Sequence, residues 1–349
     1  MKRFASILCA SAMLCTALAL PAAAQAIDWD STRPRADILL RDPCVLAHGG
    51  LYYVYGTGAS RGPGYGCYVS RDLEDWAGPY QVFTPPPGHD GAGDWWAPEC
   101  HEYKGQFYLF ATYRSAATGH RGVSVFRGED PLGPFEEISA GHATPRDWDA
   151  IDGTLYVDEN GQTWMVFVHE WTSMPDGVGD FSAAKLSEDL SRLVSVPVRL
   201  FKASVMPFWP VNNVTDGCWL YRSETGRLIM LWSGSRYGYC VAQAVSLSGE
   251  ITGPWVQNPV LLYGKNSAFA LDGGHGALFT GPEGRLMMGI HSPNTAGNGL
   301  HETPVFLEAL DKGASLTLKD NSVPWLRNMY AQLWNAAVWV MSGIYGLFC

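Results

Sequence analysis

The chain has 349 residues, of which 47% are apolar and 13% aromatic, and its formal net charge at pH 7 is -10. This length is ample for one large β domain or for two ordinary domains. The negative charge argues against nucleic acid and anionic membranes as partners, because both are bound through basic patches. Abundant aromatic residues with few charges suit a protein that binds neutral ligands such as sugars, although any one of them can equally serve in the core.

The first 26 residues have the pattern of a secretory signal peptide. Lys2 and Arg3 precede an apolar run, and small residues follow up to Ala26. We therefore expect residues 1–26 to be removed and the mature protein to be secreted or periplasmic. Export permits disulfides, buried free thiols are the alternative, and the lack of a CxxC pair argues against a zinc site. The cysteines of the mature segment are Cys44, Cys67, Cys100, Cys218, Cys240 and Cys349.

Five segments further along the chain share one pattern: a polar residue, a short apolar strand, a turn containing glycine and an aromatic-rich strand. In chain order they are RDPCVLAHGGLYYVYGT, WWAPECHEYKGQFYLFATY, WDAIDGTLYVDENGQTWMVFV, VTDGCWLYRSETGRLIMLWS and GGHGALFTGPEGRLMMGIHS. Further strand and turn segments such as CYVSRDLEDWAGPY lie between them, which makes about four strands in each unit. Five such units predict an all-β fold, a five-bladed β-propeller that spans residues 27–318.

An ionisable residue leads each of the five segments, and these residues are Asp42, Glu99, Asp152, Asp216 and His275. The inner strands of a propeller all start at the same end of its central channel, so we expect the five side chains to surround one pocket. Bringing four carboxyl groups together is electrostatically unfavourable, which indicates a functional reason for the arrangement. Carboxyl groups that face one cavity suit glycoside hydrolysis, in which a general base activates water and a general acid protonates the leaving oxygen.

The motifs RDPCV, WWAPECHEYKGQFYLF, IDGTLYVDENGQTWMVF and GGHGALF resemble those of the family 43 glycoside hydrolases, which are inverting enzymes with a five-bladed propeller fold. The resemblance covers residues 36–306. It implies that Asp42 is the general base and that Asp152 orients the acid and raises its pKa. It places the general acid at Asp216, where the family usually has glutamate, and the carboxyl of aspartate reaches about 1.5 Å less.

The resemblance also implies a sugar pocket lined by Trp96, with Glu99 beside it. His275 occupies the place where many members hold calcium or a similar ion in the channel. A neutral imidazole among oxygen ligands suits contact with calcium through water better than direct contact. The bond cleavage itself requires no metal or other cofactor. His291, at the second strand of the fifth unit, is a further candidate for contact with the substrate.

The sequence therefore predicts an inverting glycoside hydrolase that acts on plant polysaccharides or oligosaccharides, with the carbohydrate as its partner. The resemblance implies α-L-arabinofuranosides or β-D-xylosides as substrates, with β-galactosidase and endo-arabinanase specificities as alternatives. Because aspartate replaces glutamate at position 216, a carbohydrate-binding propeller without catalysis stays open as well. The sequence leaves the oligomeric state open.

Residues 319–349 depart from the repeat pattern and are apolar and aromatic. The run from Trp334 is shorter than the roughly 20 residues that a helix needs to span a bilayer. Two interpretations of this tail remain: it docks on the propeller, or it is an end that is not native to the protein.

Overall fold

The structure is a computed structural model that describes residues 25–205, 212–235, 237–266, 268–294, 299–321 and 324–348. The predicted signal peptide, apart from its last two residues, and Cys349 lie outside the described residues. Within them the strands form five sheets, and each sheet is built from one continuous stretch of chain. This arrangement confirms the predicted all-β, five-bladed propeller.

The strands of each blade follow one another in chain order, and the innermost strand lies at one edge of its sheet. Blade one contains β1 (Thr32–Pro34), β2 (Arg41–His48), β3 (Leu51–Thr57), β4 (Tyr65–Ser70) and β5 (Asp75–Phe83), with β2 innermost and β1 outermost. Blade two contains β6 (Trp96–Tyr103), β7 (Gln106–Arg114), β8 (Arg121–Gly128) and β9 (Glu136–Glu137). Blade three contains β10 (Ala150–Val157), β11 (Thr163–His169), β12 (Asp180–Lys185) and β13 (Val198–Lys202).

Blades four and five repeat this order. Blade four contains β14 (Asp216–Arg222), β15 (Leu228–Ser235), β16 (Tyr239–Ser246) and β17 (Trp255–Gln257). Blade five contains β18 (Gly274–Thr280), β19 (Leu286–Ser292), β20 (Thr303–Asp311) and β21 (Leu316–Leu318). Short 3-10 turns lie at Arg35–Asp37, Ala203–Val205 and Pro282–Gly284, and one helix, α1 (Pro324–Phe348), follows the last strand.

The core lies between neighbouring blades rather than inside any one sheet. Because each blade packs on a neighbour through both faces, the middle strands are buried on both sides and read as almost continuous apolar runs. In β15, for example, Leu228, Met230 and Trp232 pack toward blade three while Ile229 and Leu231 pack toward blade five, and all five are at most 1% exposed. Burial of each such side chain stabilises the fold by about 1.5–3 kcal/mol.

Every inner strand is interrupted by a β-bulge near its start. One residue of each bulge has a left-handed backbone, and these residues are Asp42 (φ 54°), Ala97 (φ 40°), Asp152 (φ 53°), Gly217 (φ 40°) and His275 (φ 57°). A bulge changes the direction in which nearby side chains point. The equivalent position in blade two is therefore Ala97 rather than Glu99, and in blade four it is Gly217, the residue after Asp216.

Side chains from the preceding blade hold most of these bulges. In four blades the N–H of the left-handed residue donates to a side chain near the end of the second strand of the blade before it. The pairs are Ala97 to Thr57 Oγ1 (2.8 Å), Asp152 to Thr112 Oγ1 (3.1 Å), His275 to Ser233 Oγ (2.8 Å) and Asp42 to His291 Nδ1 (3.1 Å). The last pair joins blade five to blade one and so helps to close the ring.

The bulge of blade four is held differently. The equivalent acceptor position in blade three is Val168, which pairs with Ile151 and has no polar side-chain atom. The N–H of Gly217 donates instead to Oδ2 of Asp152 at 2.8 Å. A missing acceptor in one blade thus gives one of the predicted site carboxylates a fixed hydrogen-bond donor.

Helix α1 shows that the C-terminal tail docks on the propeller. Trp334 and Val338 are buried in the cluster shared by blades four and five, and Trp334 Nε1 donates to the carbonyl of Ala314 at 2.9 Å. The opposite face of the helix exposes apolar residues, among them Trp339, which is 71% exposed. Within the described part of the chain, no helix combines the length and the hydropathy of a membrane span.

The described cysteines favour the interpretation as buried free thiols over disulfides. Cys44, Cys67, Cys100 and Cys218 are buried and form no disulfide, and Cys240 is buried as well.

Candidate active site

A cavity of about 320 Å³ opens where the bulges of the inner strands meet. Among the residues predicted from the sequence, Asp42, Trp96, Asp152, Asp216 and His275 line it. Five further lining residues were not predicted, and these are Arg41, Thr57, Ile151, Glu170 and Trp171. The cavity thus brings together residues from all five blades.

Asp42 is held so that its carboxylate stays ionised. Thr57 Oγ1 donates to its Oδ2 at 2.6 Å, and Nδ1 of His275 lies 3.4 Å from its Oδ1. Burial raises the pKa of Asp42, but His275, Arg41 and the hydrogen bond from Thr57 outweigh this, so the pKa lies below its usual value. An ionised carboxylate in a closed cavity is what a general base requires.

Asp216 has the opposite environment. Burial raises the pKa of Asp216 well above its usual value, and repulsion from Asp152 and Asp42 raises it further, while a hydrogen bond with Tyr239 opposes the rise. Environments that push the pKa values of neighbouring carboxyl groups apart mark acid and base roles. The environment of Asp216 therefore favours its protonated form, whereas that of Asp42 favours the ionised form.

Asp152 is the third aspartate that lines the cavity. It is 5% exposed and accepts the N–H of Gly217. Burial, with repulsion from Asp42, raises the pKa of Asp152 to about 6, and His275 works against this rise. The proximity of its charge is one cause of the raised pKa of Asp216.

Two predicted substrate-binding residues do not line the cavity. Glu99 is 2% exposed, and its Oε2 lies 3.2 Å from Nε2 of His101. Its charge acts on the buried thiols of Cys44 and Cys218, which belong to the inner strands of blades one and four. The sequence pattern predicted Glu99 as the leading residue of blade two, but the residue that corresponds to Asp42 there is Ala97.

His291 is fully buried and supports the backbone of Asp42 rather than the cavity wall. Because its Nδ1 accepts the N–H of Asp42, the ring carries its proton on Nε2, which donates to Oδ1 of Asn294 at 3.0 Å. Burial lowers the pKa of His291, in agreement with a neutral ring. Its ring also stacks on Tyr239, with centroids 5.4 Å apart.

His275 is the residue for which the sequence predicted contact with an ion. Its Nδ1 faces Asp42, whereas its buried Nε2 has no hydrogen-bond partner among the described residues. In the same part of the chain, no group of three His, Cys, Asp or Glu side chains is placed to hold a metal directly. The orphaned nitrogen fits a water molecule, or an ion whose other ligands are water, rather than an ion held by protein ligands alone.

Glu170 adds a fourth carboxyl group to the cavity wall. It follows β11 directly and is 5% exposed, and Nε and Nη2 of Arg121 lie 2.8 and 2.7 Å from its Oε2. The Arg121 guanidinium also lies 5.2 Å from the ring centroid of Trp96. The sequence signal for this residue is a Glu-Trp pair at the end of an apolar strand, outside the leading positions of the repeats.

Comparison with known proteins adds a family and several relatives. Residues 31–308 match the family described as Glycosyl hydrolases family 43. An extracellular exo-alpha-(1->5)-L-arabinofuranosidase from Cellvibrio japonicus (strain Ueda107) is 32% identical over 205 residues, which are 54% of this chain and 51% of that protein. An extracellular endo-alpha-(1->5)-L-arabinanase from Bacillus subtilis (strain 168) is 24% identical over 194 residues, or 50% and 56% of the two chains.

Among solved structures, that of an endo-arabinase from Bacteroides thetaiotaomicron VPI-5482 superposes with a TM-score of 0.70 at 37% identity. The match covers 79% of this chain and 95% of that one. By contrast, the chain spans about half the length of the curated relatives that it matches.

Proposed function

Because the chain belongs to the glycosyl hydrolases of family 43, we propose that it is an inverting glycosidase in which Asp42 is the general base and Asp216 the general acid. The observation that supports this most strongly is the opposed electrostatics of the two groups in one cavity. The pKa of Asp42 lies below its usual value and that of Asp216 well above it. At a pH between these two pKa values, Asp42 can accept a proton while Asp216 can donate one.

In the proposed reaction, Asp42 takes a proton from a water molecule whose oxygen attacks the anomeric carbon. On the opposite face of the sugar, Asp216 gives its proton to the glycosidic oxygen as the bond to the anomeric carbon breaks. The products are a sugar of inverted configuration and an alcohol, and solvent then returns the two carboxyl groups to their starting states. Asp152 acts on the acid, because its nearby charge keeps the proton on Asp216 until the leaving group needs it.

Asp216 is the first residue of β14 and immediately precedes the bulge residue Gly217. A Cβ atom at Gly217 would lie 2.7 Å from the ring of His275. Glycine therefore allows β14 to approach the inner strand of blade five closely. We infer that this close approach sets how far the carboxyl group of Asp216 reaches into the cavity.

The substrates that we propose are α-L-arabinofuranosides, with β-D-xylosides as the second candidate. The names of both curated relatives refer to α-(1->5)-linked arabinose, which favours the first. A cavity of about 320 Å³ is at the lower end of the range for small-ligand sites and suits one or two sugar units, which favours exo action. We further propose that residues 1–26 direct secretion, since both curated relatives are named as extracellular.

The chemistry of this site needs no metal. An ion in the channel, held by His275 through water, remains a proposal. When bound, it would add positive charge near the carboxylates. The repulsion between the carboxyl groups of Asp42 and Asp152 would then be weaker.

The test is a screen of nitrophenyl glycosides with the wild type, Asp42→Ala and Asp216→Ala. We expect Asp42→Ala to lose activity on every substrate, because no other group activates the water. We expect Asp216→Ala to keep partial activity on nitrophenyl glycosides, whose leaving group needs no proton, and to fail on oligosaccharides. Glu224→Ala is the control, because Glu224 lies in the exposed turn between β14 and β15 and should behave as the wild type.

Two outcomes would contradict the proposal. Normal hydrolysis of oligosaccharides by Asp216→Ala would show that another group is the acid. A wild type that binds oligosaccharides without cleaving any glycoside would show instead a carbohydrate-binding propeller, the alternative that the aspartate at position 216 leaves open.

A further inference from the structure

Glu170 and Arg121 form a rigid polar wall on one side of the cavity. Arg121 is shared by three carboxylates: besides Glu170, it approaches Asp94 at 3.5 Å and Asp149 at 3.8 Å. The backbone N–H of Glu170 also donates to the carbonyl of Asp149 at 2.8 Å. Because these three carboxylates already balance the charge of Arg121, the arginine attracts a further anionic or polar ligand only weakly. The group that this wall presents to the cavity is therefore the carboxylate of Glu170.

This wall lies on the side of the general acid. Asp216 belongs to blade four, the neighbour of the blade that carries Glu170, whereas Asp42 belongs to blade one on the other side of the channel. The charge of Glu170 is among the causes that raise the pKa of Asp216, while the charges that act most on Asp42 are those of His275 and Arg41. In an inverting glycosidase the water approaches from the base and the leaving group departs toward the acid. The wall therefore faces the leaving group.

Two indoles line the cavity together with this carboxylate. Trp171 follows it directly in the chain, and the ring of Trp96 lies 5.2 Å from the Arg121 guanidinium. A carboxylate and aromatic rings in one cavity match the chemistry of a sugar, which offers hydroxyl donors along its rim and C–H groups on its faces.

We propose that Glu170, oriented by Arg121, accepts hydrogen bonds from hydroxyl groups of the leaving sugar and makes the enzyme selective for sugar leaving groups. This inference rests on the proposed glycosidase function and adds a specificity residue to it. The pairing of Glu170 with Arg121 favours its ionised form, as a hydrogen-bond acceptor requires, although burial raises its pKa. For the same reason Glu170 is a poor candidate for the proton donor.

The test compares two leaving groups on the same sugar. For the glycoside that the screen identifies, kcat/KM is measured with the nitrophenyl glycoside and with an oligosaccharide of that sugar. Glu170→Gln keeps the shape of the side chain and removes its charge. We expect it to lower the ratio of oligosaccharide to nitrophenyl kcat/KM by about 10- to 100-fold, the factor that a hydrogen bond to a charged group contributes. Nitrophenyl lacks the hydroxyl groups that such an acceptor would bind.

Asp94→Asn is the matched control, because it also removes a negative charge beside Arg121 but does not belong to the cavity lining. We expect this variant to leave the ratio within about twofold of the wild type. Trp171→Ala provides a second variant in case Glu170→Gln fails to fold, and it should lower the ratio in the same direction, since Trp171 lies at the partly exposed cavity wall.

The outcomes separate the two proposals. A wild type that cleaves neither substrate overturns the glycosidase function and this inference with it. A wild type that cleaves both, together with Glu170→Gln and Trp171→Ala variants that lose activity on both substrates to the same extent, overturns the leaving-group assignment and leaves the glycosidase function standing.

Discussion

The hydroxyl group of Thr57 connects the proposed general base to the neighbouring blade. It donates to Oδ2 of Asp42 at 2.6 Å and accepts the N–H of Ala97 at 2.8 Å. Thr57→Val keeps the shape of the side chain but removes both hydrogen bonds. We expect this variant to be less stable than the wild type and to require a higher pH for activity.

The size of the effect follows from the two lost partners. Ala97 is 1% exposed, and an unsatisfied buried N–H costs about 1–3 kcal/mol. A hydrogen bond to a charged carboxylate contributes about 1.5–3 kcal/mol. Because one hydroxyl group makes both contacts, the two effects are not additive, and we expect a loss of about 3 kcal/mol. The pKa of Asp42 should rise, because the hydrogen bond from Thr57 favours its ionised form.

Two measurements check this prediction. Urea unfolding at pH 7 gives the loss of stability, and the pH dependence of kcat/KM gives the acid limb, which should move to higher pH. Thr112→Val is the control: this residue occupies the equivalent position in blade two and accepts the N–H of Asp152 at 3.1 Å. It should lose about 1–3 kcal/mol for the orphaned N–H while its acid limb stays in place. Equal shifts of the acid limb in both variants, or a Thr57→Val protein as stable as the wild type, would refute the reasoning.

Three further predictions follow from burial and charge. Because the pKa of Asp152 rises from its ordinary 3.8 to about 6, the free energy of unfolding should fall by about 3 kcal/mol as pH rises between these values. In urea unfolding, Asp152→Asn should therefore be more stable than the wild type at pH 7 and equally stable near pH 3. A stability difference that is independent of pH would count against this account. The alkaline limb of kcat/KM should lie above the ordinary range of an aspartate, because the pKa of Asp216 is raised, and a profile that declines from pH 4 upward would contradict that acid. Trp334→Ala should lower the free energy of unfolding by about 3–5 kcal/mol in thermal unfolding, because Trp334 is only 8% exposed. Trp339→Ala is the control: Trp339 is 71% exposed, and its loss should change stability by less than about 0.5 kcal/mol. Equal effects of the two substitutions would contradict the docking of α1.

The repeat pattern of the sequence was sufficient for the architecture and for most of the site. Turn glycines and apolar runs mark the strands of each blade in the local sequence. These signals recur five times because each blade has to pack against two others. The same recurrence identified Asp42, Asp152, Asp216 and His275, since each leads an inner strand and all four line one cavity. The family 43 assignment rests on these motifs together and agrees with the match over residues 31–308.

The tertiary structure decided what the repeats could not. The position of a bulge depends on a side chain of the preceding blade, as Ala97 depends on Thr57. The sequence pattern therefore predicted Glu99 as the leading residue of blade two, two residues beyond the bulge residue Ala97. Glu170 directly follows the second strand of its blade rather than the head of an inner strand, and Arg121 of the neighbouring blade two holds it at the cavity.

One physical reason explains why the sequence predicted the blades while the tertiary structure decided the electrostatics of the site. Strands, turns and blade number follow from residues that are close in the sequence, and these can be recognised from the order of the amino acids. Acid and base character follow from burial and from charges on other blades, which only the closed ring brings within a few ångströms. Asp42 and Asp216 are the same amino acid in the sequence, and it is the folded channel that lowers the pKa of one and raises that of the other.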